Sequence, residues 1–543
     1  MRLLPRRRVV SFIILAALLA VAPAPVPAQG ASPAQLDELR AYIKQGWTTL
    51  RRSNRQLAES AADPKFRPQT DGRWPVYVSQ LEKLDAVKDK LRAVVPPADF
   101  NEIVILQLPK EPGSITLPGL LYLPQAYVVP GGRFNEMYGW DSYFIQAGLI
   151  ADSEVPLAKD VVDNFLYEVW NYGKVLNANR TYYLTRSQPP FLTEMILAVY
   201  RATNDRKWLE AAWPNVESYY RFWTTEPHLV KETGLSRYYD FGEGPAPEAI
   251  ATERDPQGRT YYDLVRQYFR AHRVKDYDLS QYYDRKTDDL TPMFYQGDRS
   301  MRESGFDPSN RFGPFNIDII HYNPVCLNSL LYLMERQGAE ILTALDRGPE
   351  AAEWRKRAED RARQINLLLW DERTGLYFDY DFQNRKIRRY PFLTTFYPLW
   401  AGIATPKQAA RIVSNLPLFE RAGGLQTSTH ATGSQWDAPF GWAPLEMIAI
   451  QGLRKYSFDK DADRITAKFL SLVLQEFLRT RTVVEKYDVV RRTARVGSAI
   501  GFGNRSNEVG FGWTNAAFLE LYRELPDDRK ASVLNLTWPS HAR

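Results

Sequence analysis

A chain of 543 residues with 70 Lys and Arg against 64 Asp and Glu has a formal net charge of +6, and the excess is confined to one end. Residues 1–28 hold four Arg and no acid, which leaves 66 basic against 64 acidic side chains and no basic block of the kind that neutralises phosphates, so a nucleic-acid partner is excluded. The single cysteine, Cys326, excludes an intrachain disulfide and any multi-cysteine zinc site, and its place in the apolar run 325–333 reads as a buried structural thiol.

At the N-terminus, Arg2, Arg6, Arg7 and Arg8 precede an apolar stretch from residue 9 to 21, and Val26-Pro27-Ala28 offers small residues for cleavage. This pattern predicts a secretory signal over residues 1–28 and a mature start near Gln29, because the stretch is short of the roughly 20 residues that span a bilayer. The expected protein is periplasmic or secreted, with no membrane contact after cleavage. What remains exceeds the usual size of one hydrophobic core, which favours several domains or a single closed architecture such as a toroid.

Helix dominates the rest of the chain. Apolar residues recur at helical spacing through 36–50, 81–94, 161–170, 191–202, 208–223, 327–342, 354–369, 448–453, 465–478 and 516–525. Strand-like runs are short: 103–108, 115–123, 376–380 and 387–392. Four times a Gly-, Pro- or Trp-rich loop runs into an apolar helix, at 130–150, 186–200, 435–453 and 510–522. That repetition predicts helical hairpins around an axis, with loops gathered at one end where chemistry is placed. No Ser/Gly linker interrupts the chain, so one catalytic unit behind an N-terminal helical preamble is the simplest partition.

Pro130-Gly131-Gly132-Arg133-Phe134-Asn135-Glu136-Met137-Tyr138-Gly139-Trp140-Asp141 is the most informative segment. The Gly pair permits a tight turn that would bring Arg133 near Trp140 and Asp141: an apolar face for a pyranose ring beside donors and acceptors for its hydroxyls. Standing alone, the segment fits a buried Arg133–Asp141 ion pair equally well. Gln435-Trp436-Asp437-Ala438-Pro439-Phe440-Gly441-Trp442 repeats the Trp–Asp pairing.

These two segments resemble the two signatures of the trehalases, glycoside hydrolase family 37, in the family's order. Asn177-Ala178-Asn179-Arg180, Arg186-Ser187-Gln188-Pro189-Pro190, Glu303-Ser304-Gly305-Phe306-Asp307, Glu485-Lys486-Tyr487-Asp488 and Gly510-Phe511-Gly512-Trp513-Thr514-Asn515 resemble further family blocks. The resemblance implies an all-α fold, an (α/α)6 toroid with a few short strands in loops. The blocks agree with the family from about residue 100 to 525, and with the residue-based reading of the termini the expected partition is a signal peptide at 1–28, an N-terminal helical segment at 29–100 and a catalytic domain at 101–530. The resemblance also implies an inverting hydrolase that splits α,α-trehalose into two glucose molecules, Asp307 acting as general acid and Glu485 as general base, with carboxyls ~6.5–9.5 Å apart as inversion requires. By the same carry-over, Arg133, Trp140, Asp141, Asn177, Arg186, Ser187, Gln188, Glu248 and Gly305 are substrate-binding positions.

The chain departs from the family at several points. Ala246-Pro247-Glu248 stands where Arg-Pro-Glu is usual, and Gly503-Asn504-Arg505-Ser506 where Gly-Glu-Tyr-Pro is usual. Phe306 replaces a Trp, and Cys326 an Asp. Losing an Arg and a Glu removes charged hydrogen bonds of roughly 1.5–3 kcal/mol each. Either trehalose is held weakly, or residues such as Arg505 or Glu508 compensate, or the preferred sugar differs.

Five scattered His, none at i, i+4 spacing, and no phosphate or dinucleotide loop give the expectation of neither metal nor cofactor. The expected partner is a small disaccharide, and the expected state a monomer. Two other readings remain: a related inverting hydrolase on a different α-glucoside, and a sugar-binding protein that has lost turnover. Retention of both Asp307 and Glu485 counts against the latter.

Overall fold

The computed structural model describes residues 30–538 apart from 67, 69, 70, 253, 254 and 256. The signal-peptide reading of residues 1–28 lies outside the described residues.

Among the described residues, six helices form a closed inner ring: α2 (Gly139–Ala151), α4 (Leu192–Thr203), α6 (Val325–Ala344), α8 (Tyr397–Ala401), α10 (Ala443–Lys455) and α12 (Gly512–Glu524). Each touches the next, and α12 returns to α2. Alternating with them in sequence, and packed outside, run α1 (Pro33–Leu50), α3 (Val155–Tyr172), α5 (Arg206–Trp223), α7 (Gly348–Leu368), α9 (Pro406–Ser414) and α11 (Asp459–Thr480). This is the expected (α/α)6 toroid.

Burial explains which helix goes where. In α7 the buried residues are Ala351, Trp354, Ala358, Arg361 and Ile365, a single stripe at three- and four-residue spacing that suits an outer position. In α10 Ala443 to Ile450, Gly452 and Leu453 are all buried, as a helix enclosed on every side must be. Close contact between α2 and α12 needs a small residue: a Cβ on Gly148 would lie 2.7 Å from the Cα of Ala516. Local signals set the ends. Ser32 and Gln35 form a capping box ahead of α1 with Pro33 at its first position, and Gly173, at φ +76°, ends α3.

The segment 29–100, read from sequence as a helical preamble, does more than precede the barrel. Its helix α1 packs on α11 and α12, and its strand β1 (Trp74–Val78) is the centre of a parallel sheet with β2 (Ile103–Gln107) and β3 (Leu120–Leu121). The packing therefore crosses residue 100 without a break. The strand read at 115–123 shrinks to β3 because Pro118 has no N–H to give a ladder and Gly119 lies against Pro75, where a Cβ would be 2.5 Å from the carbonyl oxygen.

Two features position the site. The segments entering α2, α4, α10 and α12 meet at one end of the barrel, where Trp140, Gln188, Trp442 and Phe511 face a common cavity. Between α5 and α6, an insert built on helices Tyr261–Ala271 and Pro292–Glu303 has its own core of Tyr262, Phe269, Tyr282, Phe294, Phe315 and Ile317, with Phe502 packed against it. Insert and 501–506 loop together wall the open side of the cavity. Among the described residues, no helix is long and apolar enough to cross a membrane.

Candidate active site

The cavity has a volume of about 430 Å³. Arg133, Trp140, Asp141, Asn177, Arg186, Gln188, Glu248, Gly305, Asp307 and Glu485 all line it. They come from separate loops: Asp141 from the first turn of α2, Asp307 from the turn after helix Pro292–Glu303, and Glu485 from the connection between α11 and β5 (Lys486–Asp488), which pairs with β4 (Phe440–Trp442).

Ser187 is the exception. It is buried behind the wall, where its hydroxyl donates to the Val175 carbonyl at 2.6 Å and its N–H to Glu303 Oε1 at 3.0 Å. The structure does not bring Ser187 to the cavity wall with the other expected substrate-binding residues; its hydroxyl, also 2.8 Å from the Tyr219 hydroxyl, helps hold the loop that carries Arg186 and Gln188.

The charged groups fall into three sets. Arg186 donates to Glu248 and lies 3.5 Å from Asp240. Burial pushes the Glu248 carboxyl up, but the Arg186 and Arg302 guanidinium groups more than offset this and hold it below the usual carboxylate range. Arg133 does not pair with Asp141; its Nε sits 2.7 Å from Glu508 Oε1 and its guanidinium stacks 4.3 Å from the Phe134 ring centre. Asp141 instead faces carboxylates. Burial drives its carboxyl well above the usual range, and the charges of Glu485 and then Asp307 add to the effect.

Aromatic rings close the apolar side. Trp436 stacks on Trp442 at 3.8 Å, and Trp140 packs edge-on against Trp513 and Phe306. Trp140 is aligned by Gln188, whose Oε1 accepts from the Trp140 N–H at 2.8 Å. Phe306, in place of a Trp, therefore supports Trp140 from behind.

The second Trp–Asp pair is not a copy of the first. Asp437 is fully buried and accepts from Ser428, Thr432, Tyr390 and the Asn310 N–H, all between 2.7 and 2.9 Å. It ties the loop after Asp307 to the loop bearing Trp436. Burial raises its carboxyl to about 6, despite those hydrogen bonds.

Sequence reasoning missed Arg302, which lines the cavity while its Nε reaches Asp298 at 3.2 Å. It also left Lys486, Gln435, Trp436, Trp442 and Trp513 without a part in the site, although each stood in a quoted segment. Ala246 had been read as the loss of an Arg that holds substrate; it is fully buried against Tyr262, whose hydroxyl accepts from the Ala246 N–H at 2.8 Å, and it does not line the cavity. The positive charge beside Glu248 is supplied by Arg186 together with Arg302. Asn504 and Arg505 do line the cavity.

Comparison with known proteins agrees with this arrangement. The trehalase family profile matches residues 34–526. A cytosolic neutral trehalase of Pyricularia oryzae is 35% identical over 512 residues, covering 84% of this chain and 68% of that protein. One of Emericella nidulans is 36% identical over 537 residues, covering 87% and 70%. Among solved structures, neutral trehalase Nth1 from Saccharomyces cerevisiae superposes with a TM-score of 0.77 at 30% identity, covering 92% of this chain and 96% of that one. The names of these relatives overturn one expectation. The aligned fungal enzymes are called cytosolic, which contradicts the periplasmic or secreted location read from residues 1–28. On the family profile, the relatives and the barrel together, the chain belongs to the trehalase family.

Proposed function

We propose that this glycosidase hydrolyses α,α-trehalose to two glucose molecules with inversion, Asp307 serving as general acid and Glu485 as general base. The observation that supports this most is the meeting of these two carboxyls, from distant loops, in the wall of one cavity of about 430 Å³. That volume lies within the range of roughly 300–1,000 Å³ usual for small-ligand sites.

The carboxylic acid of Asp307 gives its proton to the glycosidic oxygen as the C1–O bond breaks. Glu485 takes a proton from the water that attacks C1 from the opposite face. One glucose leaves with its original α configuration, and the other forms as the β anomer. Arg133, Asn177, Arg186, Gln188, Glu248 and Arg302 supply charged and amide groups for the sugar hydroxyls. Asp141, held toward its neutral form, offers an O–H donor as well as an acceptor. Trp140 and its aromatic neighbours present the apolar face, and Gly305 leaves room for that ring. The toroid, with α1 among its outer helices, acts as one catalytic unit, and the chain works as a monomer.

Asp307→Asn and Glu485→Gln test the assignment. Each is expected to cut turnover of trehalose by on the order of 10²–10⁴ while the melting temperature stays near that of the wild type. Near-normal turnover in either variant would remove that residue from its role.

A further inference from the structure

Lys486 follows the proposed base directly and is fully buried at its side chain. Its ammonium has three N–H groups and three acceptors: Glu485 Oε2 at 2.8 Å, the Ser506 carbonyl at 3.1 Å and Gln435 Oε1 at 3.3 Å. The stem lies over Trp442, with Nζ 5.1 Å from the ring centre, and the β4–β5 ladder sets Lys486 opposite Trp442. Gln435 carries the connection onward. Its Oε1 also accepts from the Asn504 N–H at 3.2 Å, and its Nε2 donates to the Asp307 carbonyl.

From this junction we infer that Lys486 is a positioning residue that locks the Glu485 carboxylate, the Asp307 backbone and the 501–506 loop into one register. Acid, base and loop would otherwise be set by three separate chain segments. A misplacement of about 1 Å between them can cost on the order of 10²-fold in rate. The inference rests on the assignment of Glu485 as base. The charged groups that face Glu485 are Lys486 beside it in the chain and Asp141 from α2, with Asp307 facing Asp141 in turn.

Lys486→Met keeps an apolar stem over Trp442 and deletes all three donors. Expected is a fall in kcat of about 100-fold with KM changed less than about threefold, because the three hydrogen bonds it removes run to protein groups and none to substrate. In a Glu485→Gln background the same substitution costs markedly less than in the wild type, and what loss remains comes through the Asp307 backbone and the 501–506 loop. A kcat within about threefold of wild type, or full multiplication of the two losses, overturns the inference. Should Lys486→Met not fold, Gln435→Ala decides: it severs the bridge to Asp307 and is expected to lower kcat about tenfold, and no loss overturns the inference. An active Glu485→Gln enzyme would strike the base assignment instead, whereas an inactive one beside a normal Lys486→Met would strike only the role of Lys486.

Discussion

A Cβ added to Gly305 would lie 2.8 Å from Cε2 of Trp140, and the backbone there has φ +77°. Both facts require glycine, one through the close approach of the indole and the other through the left-handed conformation, which costs other residues roughly 1–2 kcal/mol. Gly305→Ala must displace either Trp140 or the turn that carries Asp307. The expected result is a loss in kcat/KM of at least about tenfold, equivalent to about 1.4 kcal/mol, with a lowered melting temperature. Kinetics like those of the wild type would mean that the turn absorbs the methyl group without moving the acid.

The departure at position 246 leads to a prediction opposite to that of a missing substrate ligand. Ala246 is enclosed, so Ala246→Arg must force a long cation into a packed cluster, and overpacking typically costs about 1–3 kcal/mol. Thermal melting should show a less stable enzyme with no gain in kcat/KM. Arg302→Met, in contrast, removes one of the two cations beside Glu248 and should weaken substrate binding, seen as a raised KM for trehalose. Improved activity in Ala246→Arg would show that the position reaches substrate after all.

Asp141 connects activity with stability through pH. Its carboxyl is raised by burial first, then by Glu485 and Asp307, so the folded protein holds this proton more tightly than the unfolded chain, where the value is about 3.9. The resulting stability is present in full below about pH 4 and is lost as pH rises toward the folded value. Asp141→Asn removes that loss. The variant should therefore melt above the wild type at pH 7, by a margin that shrinks toward pH 4, and should be catalytically impaired. Denaturation series at several pH values check the sign, and a variant less stable at pH 7 would contradict it.

The barrel was readable from sequence because outer helices such as α7 carry a one-sided stripe and loops rich in Gly, Pro and Trp precede the inner ones. The short inner helix α8 was not, since Tyr397 to Ala401 are buried on every side and five residues show no period. Strand β1 was hidden by Pro75 within it and by a partner beyond residue 100. At the site, motif segments identified the carboxyls and Arg186, yet motif membership could not separate Gln188, whose side chain faces the cavity, from its neighbour Ser187, whose hydroxyl turns to Val175. Arg302 sits in a polar stretch that reads as a solvated helix; only the fold of the insert turns it toward Glu248. Cleavage and export were inferred from the first 28 residues alone, and the names of the relatives oppose the conclusion.

The central claim, inversion by Asp307 and Glu485, is tested most directly by proton NMR of fresh product from α,α-trehalose, recorded before mutarotation mixes the anomers. One β-glucose and one α-glucose in equal amounts is the predicted result, because water enters from the face opposite the bond that breaks. Two α-glucose molecules would mean retention, and would contradict the assignment of Glu485 as the base that activates water.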